Sequence, residues 1–102
     1  MGINIYLEEE KGKMLDSVVD ESQAFAHFIR KTKFPGTLCL QFIDPYGNTI
    51  FNRPQLPFLE IELRELSETI TVPALHEIIQ RIVDLVVKAR NEMHVYITFR
   101  GD

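Results

Sequence analysis

Pro73-Ala74-Leu75-His76-Glu77-Ile78-Ile79-Gln80-Arg81-Ile82-Val83-Asp84-Leu85-Val86-Val87-Lys88-Ala89-Arg90-Asn91 is a helix with more apolar surface than one neighbour can cover. At about 100° per residue, Leu75, Ile79, Ile82, Val86 and Ala89 fall together, with Ile78 and Leu85 on one flank and Val83 and Val87 on the other. The arc spans roughly 200°, against the roughly 100° stripe of a surface helix packed on a single layer. Pro73 suits the first turn, Thr71 offers a cap, and Glu77–Arg81 and Asp84–Lys88 are favourable i,i+4 pairs. Such a helix needs a sheet beneath it and a second element beside it. The second element is either an internal helix or a partner chain, and the segment 56–66 is the simplest choice.

That segment carries two periodicities. Leu59-Glu60-Ile61-Glu62-Leu63-Arg64 alternates as a strand would, yet Leu56, Leu59, Leu63 and Leu66 share one helical face. Leu and Glu favour helix, no β-branched run supports a strand, and Pro57 is acceptable in a first turn, so it reads as helix.

The sheet is read from period-two alternation. Ile3, Ile5 and Leu7 point one way in the first segment, Leu38, Leu40 and Phe42 in Leu38–Ile43, and Val95, Ile97 and Phe99 in His94–Arg100. Thr49-Ile50-Phe51 reads as a short returning strand after the Asp44-Pro45-Tyr46-Gly47-Asn48 turn. Glu10–Lys13 is a turn, and Met14–Val19 fits either strand or helix. From Asp20 onward Phe25, Phe28, Ile29 and Thr32 recur at helical spacing, with Asp20 or Ser22 as cap and Phe34-Pro35-Gly36 as terminator. The expected fold is α+β: residues 1–102 form a single globular domain, a two-layer sandwich. One mainly antiparallel sheet of three or four strands would carry helices on one face. The other face would present Asn4, Tyr6, Cys39, Gln41, Ile43, His94, Tyr96 and Thr98, too apolar for a solvated surface and too polar for a core.

Composition narrows the function classes. The chain has 102 residues, 45% apolar and 25% charged, with net charge −4. That is long enough for a core without metal or disulfide staples. One cysteine forms no internal disulfide and fits a reducing compartment. No apolar run approaches the roughly 18 to 20 residues that span a bilayer. Met1–Tyr6 lacks the basic region of a secretion signal, and Tyr6 stands where a myristoylation motif wants Ser or Thr. The expected compartment is the cytoplasm, with no membrane partner. Nucleic acid is not expected either, because Arg30-Lys31-Thr32-Lys33 is the one basic cluster and suits the negative end of a helix dipole.

The motifs of catalysis are missing. His27, His76 and His94 have no metal-ligand spacing, and His76-Glu77 lacks the second histidine of a zinc helix. There is no phosphate-cradling glycine loop, no Gly-x-Ser-x-Gly elbow and no Cys-x-x-Cys. Cys39 reads as a buried, inert thiol, and Glu60, Glu62 and Glu65 as a solvated helix face. No metal, cofactor or catalytic residue is assigned. Arg100-Gly101-Asp102 reads as coincidence and not as an adhesion motif.

What remains is the polar block Asp44–Gln55. Folding accounts for Pro45, Gly47 and part of the rest, with Asp44 and Asn48 bonding the turn and Asn52 capping the next helix. Tyr46, Arg53 and Gln55 are then a candidate presented patch, since tyrosine and arginine are enriched where binding energy concentrates. The candidate binding residues are Tyr46, Asn48, Asn52, Arg53 and Gln55 from the block, and Tyr6, Gln41, His94 and Tyr96 from the sheet face. Ile43-Asp44-Pro45-Tyr46-Gly47-Asn48-Thr49-Ile50-Phe51-Asn52, with Gln55, Pro57 and the closing Val95–Asp102, resembles segments of small bacterial proteins that have no assigned function. The likeness covers about the C-terminal 60 residues, and it implies a bacterial origin and a shared fold but no reaction. The expected function is a non-catalytic interaction protein, either a small acidic binder of the immunity or antitoxin kind or a self-associating chain, homodimers included. The alternative is a small-molecule binder or minor enzyme with a pocket near Tyr46 and Arg53, in which Arg53 holds an anionic group.

Overall fold

A computed structural model describes residues 2–101. Met1 and Asp102 lie outside the described residues, and with Asp102 the last position of the Arg100-Gly101-Asp102 tripeptide and of the closing block. Alternation holds in the two longest strands. In β1 (Ile3–Glu9) Ile3, Ile5 and Leu7 are fully buried, and in β4 (Val95–Gly101) Val95, Ile97 and Phe99 face the same side. The two run antiparallel in register from Ile3↔Gly101 to Glu9↔Val95. The segment Met14–Val19, open to either reading, supplies strand β2 (Met14–Val18), returned antiparallel onto β1 by the turn at Gly12, whose φ of +91° only glycine adopts readily. Strand β3 (Asn48–Phe51) pairs with the free side of β4, and the order is β2-β1-β4-β3.

Leu38–Ile43 is not a strand. It is a loop with one turn of 3-10 helix at Leu40–Phe42, so β3 pairs with β4 and has no upstream hairpin partner. The cause is where its amides go. The Glu62 carboxylate accepts from the backbone N–H groups of Leu38 (2.6 Å), Cys39 (3.0 Å) and Leu40 (3.0 Å). The Gln41 N–H goes to Thr37 Oγ1, and those of Phe42 and Ile43 close on Cys39 and Leu40. With every donor engaged locally or by a helix, none is left for a ladder. Facing changes accordingly: Leu38 (59% exposed) and Phe42 (63%) point out, while Cys39 (1%) and Ile43 are buried beside Leu40. Cys39, Gln41 and Ile43 therefore leave the expected sheet surface.

Three helices pack on the face built from β1 and β4. Helix α2 (Leu56–Thr69) is the expected helix, with Leu56, Leu59 and Leu63 fully buried. Helix α3 (Pro73–Arg90) packs against it and across the sheet, burying Leu75, Ile78, Ile79, Ile82, Val83, Leu85, Val86 and Ala89. The wide apolar arc is thus satisfied within the chain, each large side chain contributing about 1.5–3 kcal/mol of burial. Helix α1 (Ala24–Lys31) closes the layer, with the Phe25 ring 6.0 Å from Phe99, which in turn meets Phe51 edge-on at 5.7 Å.

Cap details differ from expectation in part. The N-cap of α1 is Gln23, in a left-handed conformation and without a side-chain cap, so neither Asp20 nor Ser22 holds the cap position. Both still serve the first turn, Asp20 Oδ2 accepting the Ala26 amide and Ser22 Oγ the Ala24 amide. At α3 the N-cap is Val72, without a side-chain cap, and Thr71 does not serve. Lys88 reaches Asp16 on β2 (3.0 Å), while Asp84 accepts from Gln80. The architecture is a two-layer α+β sandwich with an open, wholly antiparallel four-stranded sheet.

Candidate functional site

Because the helices share one side of the sheet, the other side is left open. Register places its residues in rows. Ser17, Tyr6, Thr98 and Ile50 form the central row, Asn4, Arg100 and Asn48 lie on one side of it, and Glu8 and Tyr96 on the other. Arg100 lies over the Tyr6 ring, with Cζ 4.6 Å from its centroid, and sets Nη2 3.6 Å from Glu8 Oε2. This stack fixes two long side chains and leaves the central Thr98 only 3% exposed, while Ile50 stands 59% exposed on the edge strand. An exposed isoleucine beside a half-buried Tyr6 and Tyr96 makes a mixed, pre-ordered surface.

At one corner of this surface the sheet meets the start of α2. There Glu10, Asn52, Arg53, Pro54, Met93, His94, Val95 and Tyr96 line a cleft of about 390 Å³. Arg53 opens the 3-10 turn Arg53–Gln55 that leads into α2. That turn is locked, since Gln55 Oε1 accepts the Asn52 amide (2.8 Å) and the Gln55 amide goes to the Asn52 carbonyl (3.0 Å). His94 sits at φ +60°, a left-handed conformation uncommon outside glycine, with its carbonyl accepting the Glu10 amide and its Nδ1 3.1 Å from Glu10 Oε1.

The expected binding residues are thus sorted by the tertiary structure. Tyr6, Asn48 and Tyr96 lie on the open face, and Asn52, Arg53, His94 and Tyr96 meet in the corner cleft. Tyr46 is not with them. It is exposed at the other end of β3, which at about 3.3 Å per residue is roughly 13 Å long. There Arg30 lies over its ring at 5.1 Å and Asp44 Oδ1 accepts its amide. Gln55 is absorbed in the turn before α2. Gln41 lines a separate hollow of about 350 Å³ between the end of α1 and the 37–43 loop, and its side chain donates to the Thr37 carbonyl.

Ile50, Arg100 and Glu8 belong to the open face and were readable, since period two carries Tyr96 and Thr98 on to Arg100 and pairs Ile50 with Thr98. Glu10, Pro54 and Met93 reach the cleft only through folding. Glu62, expected on a solvated helix face, instead clamps three amides 22 to 24 residues upstream, and nothing in its neighbours announces that. Glu60 is likewise engaged, bonded to Arg90 (2.8 Å) and Arg64 (2.9 Å). The Arg90 bond, reinforced by Arg64 against the cost of burial, holds its carboxyl below the usual glutamate range.

The groups that could support covalent chemistry are poorly placed for it. Burial pushes the Cys39 thiol up to about 11, with Glu62 adding to the effect, so the reactive thiolate is scarce. Ser67 Oγ is 3.1 Å from His76 Nε2, a contact that ties the end of α2 to the start of α3, and among the described residues no carboxylate orients the ring. Among the described residues no group of three His, Cys, Asp or Glu side chains could hold a metal, and no helix is long and apolar enough to cross a membrane. Comparison with protein-family models, curated proteins and solved structures finds no match.

Proposed function

We propose that this chain is a non-catalytic interaction protein that docks a protein partner, or a second copy of itself, on the open sheet face. The single observation behind this is an uncovered four-stranded face carrying Tyr6, Tyr96, Arg100 and a protruding Ile50. Aromatic residues and arginine dominate interface hot spots, and the Arg100–Tyr6–Glu8 stack is ordered beforehand, so binding loses little side-chain entropy there. Net charge −4 steers the chain toward a basic partner, which fits a small acidic binder of the immunity or antitoxin kind working in the bacterial cytoplasm. Ultracentrifugation over a concentration series, with affinity capture from the native host, tests this. Ile50→Asp and Tyr96→Ala are expected to abolish the complex or the dimer while the fold persists. A chain that stays monomeric and captures nothing, or captures the same partner with Ile50→Asp, defeats the proposal.

A further inference from the structure

We infer that the corner cleft is a binding site for a small monocarboxylate with an apolar body, held by Arg53. The inference rests on Arg53 and not on the open-face interaction, although the cleft and the face share Tyr96. Arg53 has no carboxylate, ring or hydrogen-bond partner for its guanidinium among the described residues, although the chain is acidic. By contrast Arg64 and Arg90 share Glu60, and Arg100 holds Glu8 and Tyr6. Arg81, also without a partner among the described residues, lines two hollows whose other charged groups are mainly acidic, Asp16 and Asp84 with Lys88 in one and Glu21 and Glu77 in the other, so an anion is disfavoured there. Arg53 lines a concavity of about 390 Å³ together with Asn52, His94 and Tyr96, within the range of small-ligand pockets.

The chemistry of the walls selects the ligand. A guanidinium presents a planar fork that matches a carboxylate in two parallel hydrogen bonds. Glu10, engaged with His94 on the far wall, places a negative charge in the cleft, so a dianion such as phosphate is repelled more than a monoanion. Pro54 and the exposed Met93 supply an apolar flank for the body of the ligand, and methionine adapts its shape to what it meets. The site is preformed, because the Asn52–Gln55 lock fixes the backbone that carries Arg53 and the hydrogen bond from Glu10 N to His94 O fixes the opposite wall.

The test is an NMR titration of the isotope-labelled chain with N-acetyl-leucine, and in parallel with its neutral twin N-acetyl-leucinamide. Shifts confined to the amides of Asn52, Arg53 and Met93 to Tyr96 are expected for the acid. The amide should bind about tenfold more weakly or worse, as should the acid to Arg53→Ala, with Arg53→Lys between because it keeps the charge without the fork. Arg53 is exposed, and the dispersion of the variant's spectrum checks its fold. Equal binding of acid and amide, undiminished binding by Arg53→Ala, or no shift at about 10 mM, well above a millimolar Kd, overturns the assignment.

Discussion

The two ends of β3 are built on opposite terms. At the Tyr46 end almost every polar group is engaged: Asp44 Oδ1 takes the Tyr46 amide, Thr49 Oγ1 takes the Asp44 amide, and the Gly101 amide closes on the Gly47 carbonyl. The preceding loop is pinned by Glu62. At the Arg53 end the backbone is equally well tied, but the Arg53, Tyr96 and Met93 side chains are left over and surround a cleft. One end uses its side chains to hold the chain in place; the other uses its backbone to hold side chains out. Polar residues clustered in sequence therefore mark a candidate site only after those consumed by folding are removed.

The largest break in this contrast comes from Glu62→Ala. Three amides lose their acceptor and the loop over Cys39 and Leu40 loosens, which is expected to cost about 2–3 kcal/mol in chemical denaturation, with Glu62→Gln losing less. Gly101→Ala follows closely. A Cβ there would lie 2.2 Å from the Pro45 carbonyl oxygen, backbone that cannot swing aside, so a loss of about 1–3 kcal/mol is expected. If Gly101→Ala were neutral, the Tyr46 end would be looser than described.

A smaller effect comes from acid. The Glu60 carboxyl titrates below its ordinary value because of Arg90 and Arg64, so its contribution is complete above the ordinary glutamate range and is lost as pH falls through the lowered native value. Glu60→Gln should flatten that part of the stability profile by no more than about 1 kcal/mol, as for other partly exposed pairs. The smallest effect belongs to the open end: Arg53→Ala should shift stability by less than about 0.5 kcal/mol. A large loss there would mean that Arg53 is structural and would erase the difference between the two ends.

Helices α1, α2 and α3, strands β1, β3 and β4, and the one-sided core were legible in the sequence, because a 3.6-residue or two-residue apolar period is a local property that burial then reads out directly. Tertiary structure alone decided the rest. Leu38–Ile43 alternates as β1 does, yet its amides met a carboxylate from α2 instead of a strand, whereas the ambiguous Met14–Val18 met the free edge of β1 and became the fourth strand. The same holds for the site. Arg53 and Tyr96 are 43 positions apart and share a cleft, while Tyr46, seven positions from Arg53, is carried to the far end of an extended strand. Backbone hydrogen-bond partners and the meeting of distant side chains are set by three-dimensional proximity, which local periodicity does not encode.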